Sequence, residues 1–365
     1  MAPENLRRND APVIVLGGGI SAMAACMMLA EKNVPVIWIA PEGSSKPKPG
    51  ESLASSAVPL LKTLGLACIL EAPGHRKVEV LFSSWGTDQL VEQNRTGLAG
   101  DLGYVIDRSV FENHIYCAAV RRPEISRCFD TAVSLERSHD SWTVTTNSGS
   151  QFEGAFVIDG TGRHSAVGRK YTTLNRSDKL AAAYDFLIQV DQDIEPTPAT
   201  LIEAVADGWW YATLLQDRRL AVNYYSDPDL MPKGLGHDVE TWKRIIGQSR
   251  YISRWIDTGG FGVSRPPSLA SAGTTYLSTA AGPGWAAVGD AAAAFDPLSS
   301  HGMTSALWTG IEGAKAAALW LDGTSDPLMQ YQNRVAEGVS QYITGRAQIY
   351  GREHRFPGSA FWQRR

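Results

Sequence analysis

The chain has 365 residues, 44% of them hydrophobic, and a formal net charge of −4. That length is ample for a large core and suggests roughly two or three domains. The slight acidity, without a basic stripe, gives no reason to expect nucleic acid or an anionic membrane surface. No apolar run approaches the length of a membrane span.

The first ten residues are polar, with Arg7 and Arg8. The apolar run after them reads as a strand, not as a signal-peptide core. Cys26, Cys68, Cys117 and Cys128 show no C-x-x-C spacing. Cys26 and Cys117 fall in apolar helical patterns and read as buried thiols. That fits a reducing compartment, so a cytoplasmic location is expected.

Val13 to Leu16 has the continuous apolar character of a parallel strand buried on both faces. Gly17, Gly19 and Ala22 then fill the G-x-G-x-x-G/A pattern. Gly17 permits the tight turn, Gly19 lets a phosphate approach the backbone, and Ala22 lets helix and strand pack closely. The spacing predicts a helix over Ala22 to Lys32. Its first amides, around Ile20 and Ser21, and its dipole would face a pyrophosphate. Val36 to Ile39 completes a βαβ unit. Alone, the glycine pattern is equally an ordinary turn; the flanking elements favour a nucleotide. The acid expected at the end of the second strand is missing, and Ala40 stands there. Glu42, or Ser44 and Ser45, are the candidates to hold the adenosine ribose instead.

Leu53 to Leu66 has helical apolar spacing with a C-cap at Gly65. Val78 to Phe82 reads as a strand leaving the nucleotide unit, and Asp107 to Val120 as a helix returning to it. Thr131 to Gly149 reads as a hairpin. Residues 181 to 277 supply strands rich in aromatics, notably Trp209, Trp210, Tyr211, Tyr224 and Tyr225. Most of these should be sheet core. Alternation puts Trp209 and Tyr211 on one face and Trp210 on the other, so Trp209 and Tyr211 are the candidate substrate-pocket residues. From Pro327 the pattern is helical and ends in a basic, aromatic tail. These boundaries predict a discontinuous nucleotide domain (1–77, 103–180 and 278–325), a β-sheet substrate domain (78–102 and 181–277) and a C-terminal helical segment (326–365).

A second glycine–acid pair, Gly289-Asp290, lies far down the chain and is followed by Asp296-Pro297-Leu298-Ser299-Ser300-His301-Gly302. Grips at both ends of a chain suit an extended dinucleotide. Together with Gly50-Glu51-Ser52, Asp107-Arg108 and Asp159-Gly160-Thr161-Gly162-Arg163, they resemble the ordered motifs of the flavin-dependent tryptophan-halogenase and FAD-monooxygenase superfamily.

That resemblance implies an α/β fold with an α+β second domain. It would be a glutathione-reductase-like Rossmann FAD-binding domain, a β-sheet substrate domain and a C-terminal helical segment. It also implies non-covalent FAD held by Gly17, Gly19, Ile20, Ser21, Ala22, Glu42, Glu51, Ser52, Arg108, Asp159, Gly160, Gly289, Asp290, Pro297, Gly302 and Met303. His301, Pro297 and Ser300 are the catalytic candidates beside the flavin ring; His301 alone is more simply a positional residue. No metal is called for.

The halogenase W-x-W-x-I-P block is absent: Trp209-Trp210-Tyr211 stands there, and Lys77 is not set like the halogenase lysine. The chain is more similar to the maturation flavoproteins of quinone-cofactor oxidases, which serve lysine ε-oxidase, glycine oxidase and quinohemoprotein amine dehydrogenase. The implied activity is hydroxylation of a tryptophan side chain in an oxidase precursor, early in cysteine tryptophylquinone formation. O₂ would supply the oxygen. No second dinucleotide fingerprint is present, so electrons would come from visiting NAD(P)H or a separate flavin reductase. Three alternatives stay open: a hydroxylase or halogenase of a free small aromatic, a C=C reductase of the geranylgeranyl-reductase type, and a non-catalytic FAD-bound chaperone.

Overall fold

A computed structural model describes residues 11–43, 47–94, 101–139 and 141–365. Ser44 and Ser45 lie outside the described residues.

The apolar strand Val13–Leu16 sits in the middle of a six-stranded sheet. It pairs in parallel with Val36–Ala40 on one side and Phe156–Asp159 on the other. Ile125–Phe129 and Trp285–Ala287 extend the parallel array, and Ala281–Gly282 adds an antiparallel edge. Val13, Ile14 and Val15 are completely buried, as a strand covered on both faces requires. The helix Ile20–Glu31 packs against the first sheet and against Gly302–Leu321. Small residues permit this closeness: a Cβ on Gly310 would lie 2.4 Å from the Ser21 carbonyl oxygen and 2.9 Å from the Ala24 Cβ.

The second sheet is mixed. Its order is Phe261–Gly262, Ala181–Gln189, Leu220–Ser226, Gly208–Leu214, Thr200–Val205, Val80–Ser84 and Val91–Asn94, with Ser268–Ser271 pairing beside Ala181–Tyr184. One face buries Trp210 and Tyr224 against the helices Val239–Ile246 and Tyr251–Thr258. The amides of Arg250, Tyr251 and Ile252 donate to the buried Glu203 carboxylate, which satisfies that helix start. The opposite face carries Trp209, Tyr211 and Tyr225. Strand period alone produces this split, because successive side chains point to opposite faces.

The long helix Asp326–Tyr350 leads into a short arm that returns to the second sheet. The Trp362 indole donates to the Val205 carbonyl, and Arg365 and Arg364 pair with Asp227. No helix of the described residues is long and apolar enough to cross a membrane.

Three local expectations change. The helix expected from Leu53 starts at Ala57, because Ser52–Leu53 pairs as a strand with Tyr104 and Val105. The strand expected from Val78 starts at Val80. The hairpin is a three-stranded meander of Ala132–Ser138, Ser141–Thr146 and Gln151–Gly154.

Candidate active site

A cavity of about 340 Å³ lies between the N-terminal ends of the helices Ile20–Glu31 and Gly302–Leu321 and the aromatic face of the second sheet. Gly19, Ile20 and Ser21 line it. Gly160, Asp290, Glu51, Ser52 and Arg108 line it too, as do Pro297, Ser300, Gly302 and Met303. Trp209 and Tyr211 form part of the remaining wall.

The backbone explains this convergence. Gly17 has φ +102°, and a Cβ there would lie 2.1 Å from the Gly160 carbonyl oxygen, so the turn passes hard against the neighbouring strand end. A Cβ on Gly19 would meet nothing within 4 Å, nor would one on Gly302. Two helix starts therefore border open space, uncapped by any side chain. Such ends carry partial positive charge and suit anions.

Other predicted residues act at one remove. Ala22 packs where a Gly160 Cβ would lie 2.9 Å away, which is the close helix–strand contact expected of it. Gly289 does not line the cavity; a Cβ there would lie 2.4 Å from the Ser21 Oγ, so its φ of +59° and its lack of side chain serve packing. Asp159 is fully buried and turned inward. Its oxygens accept from the Thr161 amide (3.1 Å) and hydroxyl (2.6 Å) and from the Val167 (2.7 Å) and Gly168 (3.1 Å) amides. It shapes the loop that carries Gly160 and Gly162 to the cavity and has no oxygen left for a ligand. Asp159→Ala should therefore destabilise the fold by roughly 3 kcal/mol, since several buried amides lose a charged acceptor. Thermal unfolding without FAD checks this; an unchanged midpoint would contradict it.

Glu42 is exposed and stands outside the cavity. His301 is also exposed and does not line it, although its neighbours Ser300 and Gly302 do. Ser300 adopts the left-handed conformation (φ +54°), and the chain reverses there just before the helix starts. The catalytic assignment of His301 has no support in this geometry.

Several residues at this wall were not among the predicted site residues. Arg163 pairs with Asp290 (3.6 Å) and donates to the Gly273 carbonyl. Tyr225 stacks on Trp209, with ring centroids 4.0 Å apart. The Trp209 indole donates to the Tyr350 hydroxyl (2.9 Å), which donates to Asp296 (2.7 Å). Burial lifts the Asp296 carboxyl above the ordinary range, against its bonds from the Leu298 amide and Tyr350. Tyr350 sits on the C-terminal helix, so only tertiary contact joins it to this wall. The Arg163 signal was present in the Asp159-to-Arg163 motif.

Arg108 donates to the Pro49 carbonyl and to Glu112, each at 2.8 Å. Burial alone would raise the Glu112 carboxyl, but Arg108 and Lys48 outweigh it and hold it low. Glu51 is 2% exposed and its Oε1 has no hydrogen-bond partner. Burial pushes its carboxyl up to about 7. Lys77 is exposed, and no lysine lines the cavity among the described residues.

No protein-family model matches the chain. Over 370 residues it is 26% identical to the FAD-dependent oxidoreductase LodB of Marinomonas mediterranea, covering 96% of each chain. Among solved structures it is similar to the flavin-dependent halogenase CmlS, with a TM-score of 0.84 and 20% identity over 97% of this chain and 67% of that one. It is also similar to QhpG, a peptidyl tryptophan dihydroxylase essential for tryptophylquinone cofactor biogenesis. That match has a TM-score of 0.79 and 19% identity over 97% of this chain and 78% of the other.

The fold is that of the flavin-dependent halogenases and FAD-dependent oxidoreductases. The motif resemblance read from the sequence is to this same group. FAD is its cofactor, and the residues present here fit it. Two open helix starts and the side-chain-free space at Gly19 suit a pyrophosphate, and the aromatic wall suits a flat ring system.

Proposed function

We propose that the chain is an FAD-dependent monooxygenase that hydroxylates a tryptophan side chain of a quinone-cofactor oxidase precursor. The observation that carries this reading is the cavity wall. It is built from Trp209, Tyr211 and Tyr225 and contains no lysine among the described residues. Such a wall accepts an aromatic ring but offers no ammonium to handle an oxidised halide. The similarity to LodB and to the tryptophan dihydroxylase QhpG supports the same reading.

Bound FAD, once reduced, would supply electrons for activating O₂. The protein's part is binding, orientation and exclusion of water. Gly19, Ile20 and Ser21 would hold the pyrophosphate with backbone amides, and Arg108 would lie beside it. The Gly302–Met303 helix start would place positive partial charge where electron density rises on the ring. Trp209, fixed by Tyr350 and Asp296, and Tyr211 would orient the substrate ring. Electrons would come from NAD(P)H or a separate flavin reductase.

The test is mass spectrometry of the candidate oxidase precursor, co-expressed with and without this chain. A gain of one or two oxygens on a single tryptophan is the expected result. An unmodified precursor that still needs the chain to mature would instead identify a chaperone.

A further inference from the structure

Glu51 borders two spaces, as does Arg108. One is the main cavity. The other is a side pocket of about 10 Å³, lined by Lys48, Asp107, Arg108, Leu215 and Arg219 among others. That volume holds roughly one water. Glu51 is the acid that lines both spaces, and its Oε1 is buried without a partner.

We propose that Glu51 is the proton outlet of the cavity, accepting the proton an aromatic substrate loses and passing it through the side pocket to the charged surface. The inference rests on the monooxygenase reading. In that reaction one oxygen atom of O₂ forms a C–O bond to the ring, and the other leaves as water. Two electrons come from the reduced cofactor. The ring C–H bond then breaks, its electron pair restores aromaticity, and the proton needs an acceptor. Once the docked precursor shuts out water, acceptors must come from the lining residues.

The other groups at the cavity are committed. Asp290 faces Arg163. Asp296 accepts from the Leu298 amide and Tyr350. Burial drives the Tyr211 and Tyr225 hydroxyls well above their ordinary range. Glu51 remains, and its raised carboxyl titrates where an efficient general base should. The groups facing it are Asp107 and Arg108 from the helix Arg108–Ala119 and its cap, Lys48 from the preceding loop, and Arg219, Tyr211 and Tyr225 from the second sheet. Arg219 is held by Asp107 at 2.6 Å, and Lys48 by Glu112 at 2.7 Å. The Lys48 side chain is 40% exposed, so the charged wall reaches solvent. A proton arriving in the side pocket therefore meets a polar exit.

The experiment uses FAD-loaded protein, as parent, Glu51→Gln and Glu51→Asp. Infrared titration reads the protonated carboxyl band directly. The parent should lose one buried carboxyl band between about pH 6 and 8, and Glu51→Gln should lack that step. Stability gives a second readout. The folded chain keeps a proton on Glu51 after the unfolded chain has released it. Stability therefore falls as pH rises from the ordinary glutamate range to about 7, and Glu51→Gln should remove that component of the fall. With precursor supplied, Glu51→Gln should slow oxygen insertion by roughly 10²-fold or more and lose the acid limb of the pH profile. Glu51→Asp should retain that limb. The same infrared titration in parent and Glu51→Gln, or identical pH profiles, overturns the proposal. If the parent oxygenates no precursor, the monooxygenase reading fails, while the infrared and stability titrations still decide whether Glu51 titrates as inferred.

Discussion

Gly19→Val is expected to abolish FAD retention while leaving the chain folded. Gly19 has φ −84° and ψ 175°, extended backbone that valine adopts readily. A Cβ there meets nothing within 4 Å, so the protein alone has room for it. That room lies in front of the Ile20–Glu31 helix start, where the pyrophosphate would approach the backbone. A branched side chain would occupy it and push the phosphate away from the amides. A loss of at least about 1,000-fold in affinity is expected, roughly 4 kcal/mol. Gly17→Val provides the contrast. Its φ of +102° and the 2.1 Å approach to Gly160 make any side chain there a structural fault, with or without FAD. Asp290→Ala should weaken FAD by only ~1.5–3 kcal/mol, the usual worth of one charged hydrogen bond. Flavin absorbance after reconstitution and dialysis reads retention, and circular dichroism of the same samples reads the fold. FAD should be present once per chain and released by denaturation, since the sequence carries no obvious attachment motif. Equal affinity of Gly19→Val and parent would remove the nucleotide assignment at this turn.

The second large effect concerns the substrate. No turnover of free L-tryptophan is expected, with or without chloride or bromide. A free amino acid brings an ammonium and a carboxylate into the cavity, and each needs a partner. Among the described lining residues the cations are already engaged, Arg108 with Glu112 and Arg163 with Asp290. An unpaired carboxylate buried beside them would cost several kcal/mol. A tryptophan within a protein brings neither charge, because both termini have become peptide bonds. Oxygen insertion is therefore expected only when a folded precursor and a source of reduced flavin are supplied. Docking of that precursor should bury on the order of 1,200–2,000 Å² and close the cavity to water. Without it, reduced protein mixed rapidly with O₂ should release hydrogen peroxide. Hydroxylation or halogenation of free indoles under those conditions would favour a small-molecule enzyme.

These two expectations draw on different kinds of information. The glycine turn was legible because its requirements are local. A strand, a turn with positive φ and a helix start occupy consecutive residues, and Gly17, Gly19 and Ala22 each meet one steric demand. The placement of Trp209 and Tyr211 opposite Trp210 was legible for the same reason, since strand alternation is a property of the backbone. The opening βαβ unit followed from such local periods, whereas the wider α/β architecture was expected from the motif resemblance.

The roles of single polar residues were not legible. Asp159 sits in a motif that suggests ligand contact, yet its carboxylate turns to the amides of Thr161, Val167 and Gly168. His301 stands in a promising sequence but is exposed and does not line the cavity. Glu51 gained its isolation from the Arg108 helix and the Tyr211 and Tyr225 strands, and Trp209 its anchor from Tyr350 on the C-terminal helix. The sequence by itself determined the opening strand–turn–helix unit, the alternation of strand residues between two faces and where a phosphate could meet the backbone, because backbone stereochemistry acts between neighbours. Only the tertiary structure decided which carboxylates are satisfied, which are stranded and which aromatics share a wall, because desolvation and hydrogen bonding depend on what distant segments bring alongside.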